Sequence, residues 1–295
     1  MIVVAGEALI DLVVTAEQIV ATPGGAPYNV ARGCARLGME TALMATLSTD
    51  GFGQRLAAGL AESGVSTSLV QPTDRPTTLA VAEVDARGGA RYRFYADGTS
   101  APLLTPTALP DTADALVTGG LGLVLEPMAA AIEHVVAQAS ADVLVLVDLN
   151  CRPAAIDDRL AYIARLRHVL ARADVIKASD EDVEWLMANG TELLGSDKRV
   201  VLVTAGDAGT TIRTSAGSVE VAVEAVPVVD TIGAGDAFTA GFMSWWSASG
   251  RGRGDLGDAT AIEQAVRAAH EVAAVVVSRR GADPPRREDL PLDWL

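Results

Sequence analysis

Short apolar runs recur along this chain at helix-length intervals, and they restrict it to few architectures. Residues 1–6, 41–47, 115–119, 143–147, 175–176 and 200–203 are rich in Val, Leu, Ile and Ala. Segments with helical patterning lie between them, among them residues 54–63, 126–139, 156–173 and, after the last run, 260–277. A strand apolar along its whole length has both faces covered, which is the condition of a parallel sheet clothed in helices. This alternation predicts an α/β fold with a mostly parallel central sheet.

Two segments break the rhythm. Residues 12–23 are short and half polar, and residues 77–84 and 90–95 are β runs around Asp85-Ala86-Arg87-Gly88-Gly89, a hairpin signal with no helix after it. They are assigned to a small β lid, with residues 1–11, 24–76 and 98–295 forming the core. A lid that excludes water suits the transfer of a group that hydrolysis would otherwise take.

Composition removes several functions. A formal charge of -15 with only two lysines, Lys177 and Lys198, argues against nucleic acid as a partner. The same surface repels a phosphorylated ligand at long range, so a site for one must be made positive locally by amides, a metal or arginine. Cys34 and Cys151 stand too far apart in sequence to suggest a disulfide framework or a metal cluster. No apolar run is long and uninterrupted enough to span a bilayer, and the start lacks the basic residues of a secretory signal. No membrane partner and a cytoplasmic location are expected.

The most suggestive stretch runs from Asp230 through Gly233-Ala234-Gly235-Asp236 to Gly241. It joins a β-rich run at 219–229 to an apolar helix at 237–247. Glycines at such a bend let the backbone approach a ligand, and free amides plus the helix dipole favour an anion. An acid in that turn suits a base working beside a phosphate, or it simply caps the helix. A second turn, Gly24-Gly25-Ala26-Pro27-Tyr28-Asn29, leads into another helix; it admits a ligand closely, or is a plain strand-to-helix turn. Polar groups also mark other strand ends: Asp148, Asn150 and Arg152; Lys177, then Ser179 to Asp182; and Thr204 to Gly209. In open α/β sheets that edge is where ligands bind.

These strand ends, with Asp11, together resemble those of the ribokinase-like (PfkB) family of carbohydrate kinases, and the resemblance covers essentially the whole chain. Two motifs carry it, residues 24–31 and 230–238. It implies a three-layer α/β/α sandwich with a small β-sheet lid, and transfer of the ATP γ-phosphate to a sugar hydroxyl with Mg²⁺. Asp236 then matches the catalytic base, and the amides of Gly233, Ala234 and Gly235 the anion hole. Asp11, Gly24, Gly25 and Asn29 match acceptor contacts, with Tyr95, Asn150 and Arg152 beside them. Lys177, Ser179, Thr204, Gly206 and Gly209 match the nucleotide side. His270 falls where relatives place an Asn near adenine, or is a satisfied core histidine.

Ser179 and Asp182 stand where the family usually has Asn and Glu on the Mg²⁺ side, with Glu181 as an alternative acid. Asp230, Ile232 and Gly281 correspond to residues that hold a monovalent cation in some members, so K⁺ activation is open. The opening Gly6-Glu7-Ala8-Leu9-Ile10-Asp11 and the Gly-Gly-Ala-Pro turn look most like fructokinases. Kinases of 2-keto-3-deoxygluconate generally read Tyr-Tyr-Arg where this chain reads Phe94-Tyr95-Ala96, which favours a neutral sugar. Arg152 could instead bind a carboxylate, or hold Asp148 or Asn150. Ribokinase or nucleoside kinase activity and a non-catalytic sugar-binding descendant are the alternatives. A dinucleotide site fits poorly, because Phe238 stands in place of the third glycine of that fingerprint. Lids of this family often pair across a two-fold, so a homodimer through the lid is a further expectation.

Overall fold

The apolar runs pair with one another as their patterning requires. A computed structural model describes residues 1–15, 17–84, 90–188, 200–292 and 294. The chain opens with β1 (Ile2–Ala5), an antiparallel pair β2 (Leu9–Val14) and β3 (Ile19–Gly24), and α1 (Ala26–Arg36). There follow β4 (Thr41–Ser48), α2 (Gly51–Ser63), β5 (Val70–Thr73), and a second antiparallel pair, β6 (Leu79–Val84) and β7 (Ala90–Tyr95). The α/β rhythm resumes with β8 (Ala115–Gly119), α3 (Met128–Gln138), β9 (Leu144–Asp148), α4 (Arg159–Arg172), β10 (Val175–Ser179) and α5 (Asp180–Ala188). It closes with β11 (Val200–Thr204), β12 (Thr210–Thr214), β13 (Gly217–Val221), α6 (Ala234–Ala248) and α7 (Ala259–Val277).

Nine strands form the main sheet in the order β13-β12-β11-β10-β9-β8-β1-β4-β5. The seven from β11 to β5 run parallel, and β12 and β13 are antiparallel additions at one edge. Alternate residues of one strand face opposite layers. Ile2 and Val4 join Leu43, Val117, Leu146, Phe242 and Ala265 in one buried cluster, whereas Val3 and Ala5 join Met44, Leu116, Val145, Ile132 and Leu166 in another. The first cluster lies under α1, α2, α6 and α7, the second under α3, α4 and α5, which makes the three-layer α/β/α sandwich. Each fully buried side chain of this size contributes about 1.5–3 kcal/mol relative to exposure.

The small sheet has the order β3-β2-β6-β7. It begins at Leu9, so Asp11 lies inside β2, paired with Thr22 and Ala80, and not at the end of a central strand. Of residues 77–83 only Leu79 and Glu83 reach solvent appreciably, and among the described side chains of this sheet the exposed aliphatics are Ile19 and Val20. The turn expected at residues 85–89 lies outside the described residues.

Three further boundaries differ from expectation. The β run read over 219–229 stops at Val221; beyond it Pro227 lacks an N–H and the amides of Val229 and Asp230 go to Val277 O rather than to a strand. α2 starts earlier, at Gly51, where Asp50 caps it by accepting from the Gly53 N–H at 2.8 Å. β5 carried no clear signal; it is a short edge strand that tolerates Pro72. Cys34 and Cys151 are both buried free thiols.

Candidate active site

The N-terminus of α6 is shaped by what surrounds it. Gly233 caps the helix with φ 80°, and a Cβ there would lie 2.5 Å from the Ala282 Cβ. Only glycine meets both conditions. The Ala234 N–H turns back to Thr231 O at 3.2 Å. The amides of Gly233, Gly235 and Asp236 have no bonded partner among the described residues. Lys177 lies over this turn, since a Cβ on Gly235 would stand 2.9 Å from its Nζ. The ammonium is held in the core by both Asp148 oxygens, at 3.1 and 3.0 Å. Thr239, one turn further along α6, also reaches Asp148 Oδ2 at 3.0 Å. Helix dipole, free amides and a fixed ammonium therefore converge on one point, an arrangement whose chemistry suits an anion.

Asp236 sits in the same turn, half-buried, and meets the first motif directly. Asn29 Nδ2 donates to its Oδ2 at 2.8 Å, which joins residues 207 apart in sequence. Burial raises the Asp236 carboxyl to about 6; the Asn29 hydrogen bond and Lys177 oppose that rise, and Asp148 adds to it. Asn29 Oδ1 is buried and has no partner among the described residues. Asp11 is also raised to about 6, by burial first and then by the Asp236 charge, with Arg152 opposing. A Cβ on Gly24 would stand 1.9 Å from Asp11 Oδ2, and one on Gly25, at φ 102°, would meet Glu7 O at 2.7 Å. The paired glycines are thus required by the packing of this turn. Asn150 takes a positive φ of 39° at the end of β9, with its amide beside Gly120.

The structure separates some residues that the sequence analysis grouped. Phe94 shares the Asp11 face of the small sheet, packing with Leu9, Ala80 and Leu121. Tyr95, next in a strand, points to the opposite face and is 53% exposed, so it does not join the site. Arg152 Nη1 donates to Cys151 O at 3.1 Å and does not hold Asp148, which belongs to Lys177. The Arg152 charge is still felt by Glu7, Asp11 and Asp236.

Beyond α6, Ser179 and Thr204 end the neighbouring strands β10 and β11. The turn after β11 has Gly206 at φ 54° and Gly209 at φ 96°, where a Cβ would lie 2.4 Å from Val221 O. His270 Nε2 shares a 2.8 Å hydrogen bond with Thr210 Oγ1, and its ring lies 5.6 Å from that of Phe238. Burial, with Arg267 nearby, lowers it to about 4, so the imidazole is neutral at pH 7.

The residues expected near Mg²⁺ are engaged otherwise. Ser179 and Asp182 cap α5 reciprocally: Asp182 Oδ2 accepts from the Ser179 N–H at 2.9 Å and Ser179 Oγ from the Asp182 N–H at 3.0 Å. Asp182 Oδ1 accepts from the Cys151 N–H at 2.7 Å, and Glu181 is exposed. Among the described residues no three His, Cys, Asp or Glu side chains gather to hold a metal ion. These acids do not fit a divalent ion held by the protein itself. Asp230 instead locks a loop, accepting from the Ile232 N–H at 3.0 Å and the Gly281 N–H at 2.9 Å. The other end of that loop is gripped by α1, where Arg32 and Arg36 both reach Asp283 Oδ1, at 3.1 and 2.8 Å.

Three residues that pack around these turns went unassigned in the sequence: Glu7, Asp148 and Thr239. The first two were visible as acids at strand ends, and Thr239 as a hydroxyl in an apolar helix, but nothing local told which partner each would meet. No described helix is long and apolar enough to cross a membrane.

A fructokinase from Rhizobium leguminosarum bv. trifolii is 34% identical over 258 residues, 83% of this chain and 79% of its own length. A fructokinase from Salmonella typhimurium is 30% identical over 294 residues, 95% of this chain and 94% of its own. The structure of a fructokinase with bound ATP from Xylella fastidiosa superposes with a TM-score of 0.86 at 28% identity, covering 98% of this chain and 94% of that one. The model of the pfkB family carbohydrate kinases matches residues 1–289. This chain belongs to the pfkB family of carbohydrate kinases and is a sugar kinase.

Proposed function

We propose that the protein transfers the γ-phosphate of ATP to a hydroxyl of a small neutral sugar, most simply fructose, with Asp236 as general base. The observation that carries this reading is the meeting of Asn29 with Asp236, which leaves a half-buried carboxylate and an unpartnered amide oxygen at one place. An unpartnered acceptor oxygen is matched by a sugar O–H. A carboxyl at about 6 is mostly ionised at pH 7 and basic enough to take a proton from an alcohol that is being phosphorylated. The amides at the start of α6 and the Lys177 ammonium then meet the transferring phosphate, where charge neutralisation and positioning are most of the catalysis.

A neutral acceptor is favoured because Asp11 and Asp236 both oppose a second carboxylate, while Arg152 is half engaged with Cys151 O. ATP as the donor is supported by the Xylella fructokinase, which was solved with it. The nucleotide is placed across Thr204, the Gly206–Gly209 turn and neutral His270. Mg²⁺ would arrive on the nucleotide phosphates, as is usual for an ion that binds few protein ligands. The small sheet of β2, β3, β6 and β7 serves as the lid. The carbonyls of Asp230 and Ile232 offer a place for K⁺ in the loop that Asp230 locks to Gly281.

The test is ADP release with fructose, ribose, 2-keto-3-deoxygluconate and adenosine, with Mg²⁺ and with or without K⁺. Faster turnover of the acid sugar or adenosine than of fructose overturns the acceptor assignment. No phosphorylation of any of them overturns the catalytic reading.

A further inference from the structure

Glu7 is the most deeply buried acid among the described residues, 3% exposed, and the transfer described above makes no use of it. It follows Gly6, whose φ of 149° turns the chain out of β1 and whose missing side chain makes room for Pro27. The Glu7 carboxyl reaches the start of α1, where Oε1 accepts from the Ala26 N–H at 3.3 Å. That helix has Gly25 at its N-cap and so no side chain of its own to hold its first amides. Glu7 fills the capping role from another strand.

The opposite side of the carboxyl lies against the turn Gly120–Leu123. A Cβ on Gly120 would stand 3.4 Å from Oε1 and one on Gly122 3.8 Å from Oε2. Oε2 has no hydrogen-bond partner among the described residues. The two elements it touches both carry acceptor-side groups. α1 bears Asn29 one turn after Ala26, and a Cβ on Gly120 would lie 3.7 Å from the Asn150 Nδ2.

We propose that Glu7 is a positioning residue: its buried carboxyl fixes the first turn of α1 against the Gly120–Leu123 turn, and so holds Asn29 on Asp236. Rotation of that first turn would carry Asn29 away from the base, and small displacements of positioned groups are costly to turnover. The charged groups facing Glu7 are Arg152, which favours its ionised form, and Asp236, which opposes it. Burial outweighs both and raises the carboxyl to about 8. At neutral pH Glu7 is therefore chiefly the uncharged acid, which keeps a third negative charge away from Asp11 and Asp236. Above that value it ionises; the Ala26 N–H, which favours the charged form, stays engaged, but a third negative charge then faces Asp236 on the acceptor side.

The variants that test this are Glu7→Gln, which keeps an uncharged group with an acceptor oxygen, and Glu7→Ala, which removes it. The inference rests on the acceptor-site reading, so one readout needs no substrate: amide hydrogen exchange over residues 24–31. Glu7→Ala is expected to speed that exchange about tenfold and to raise the acceptor KM and lower kcat by about tenfold each, with the ATP KM little changed. Glu7→Gln is expected to restore exchange and to keep kcat within about threefold at pH 7, while holding its activity above about pH 8 where the wild type declines. Wild-type exchange over residues 24–31 in Glu7→Ala overturns the proposal, whatever the true substrate. So does a Glu7→Gln alkaline limb that coincides with that of the wild type. Should Glu7→Ala fail to fold, Glu7→Gln alone still decides. If no sugar is turned over by the wild type, the acceptor reading fails and the exchange result stands by itself.

Discussion

Asp236→Asn separates chemistry from folding at a single atom. The variant keeps the side-chain shape, and its amide oxygen can still accept from Asn29 Nδ2, a contact of 2.8 Å in the wild type. What it loses is the ability to take a proton. A positioned base contributes about a hundred- to ten-thousand-fold, so kcat should fall by that factor, or about 3–5 kcal/mol of transition-state stabilisation. Stability should move the other way. An acid raised from 3.8 to about 6 on folding holds its proton more tightly in the native state. Native stability is then lost as pH rises from about 4 through 6, and the full cost, about 3 kcal/mol, is present at pH 7. That cost is already net of the Asn29 hydrogen bond, so asparagine, which cannot ionise, avoids it while keeping a neutral bond to Asn29. The unfolding free energies should therefore lie within a few kcal/mol of each other, with the comparison favouring the variant more at pH 7 than at pH 5. Coupled ADP release gives the rate, calorimetric sugar titration the affinity, and urea unfolding at the two pH values the stability. Turnover within about tenfold of the wild type would remove Asp236 from the role of base.

Other perturbations address neighbouring parts of the site. Lys177→Met strands Asp148 as an uncompensated buried charge and should cost about 3–5 kcal/mol in urea unfolding as well as weaken ATP turnover. Gly24→Ala places a methyl 1.9 Å from Asp11 Oδ2, so Asp11 must move; the acceptor KM should rise with the ATP KM unchanged. The pH profile of kcat/KM should lose activity below about pH 6, because Asp236 and Asp11 are both raised to about 6 and both act as carboxylates; an acid limb near pH 4 would contradict this. Gly241→Ala sets a methyl 2.9 Å from both Ala269 Cα and Val272 Cγ2, and overpacking the α6–α7 contact should lower stability by about 1–3 kcal/mol without altering sugar preference.

The parallel sheet was legible because continuous apolar runs such as residues 143–147 suit only a strand with both faces covered. The two glycine turns were legible as tight strand-to-helix bends, and the packing of Gly24, Gly25 and Gly233 is why only glycine fits there. Side-chain direction in the small sheet was not legible. One residue of register decides whether Phe94 or Tyr95 faces Asp11, and the alternation there is too weak to fix it. The acids after β10 look like metal ligands in sequence, yet Asp182 meets the amides of Ser179 and Cys151. A carboxylate near a helix start satisfies either demand, and only distance distinguishes them. Long-range pairs such as Asp148 with Lys177 and Glu7 with Ala26 leave no local trace at all.

The grip of α1 on both Asp236 and the loop at Asp283 bears on the order in which the molecule can be made. Asn29 emerges from the ribosome 207 residues before its partner Asp236, and Arg36 emerges 247 residues before Asp283. For most of its synthesis the chain holds Asn29 and the first glycine turn but neither Asp236 nor the start of α6. Those arrive together, and Ala282 seats against Gly233 later still. A growing chain thus completes the contacts around Asp236 and Gly233 in one late step.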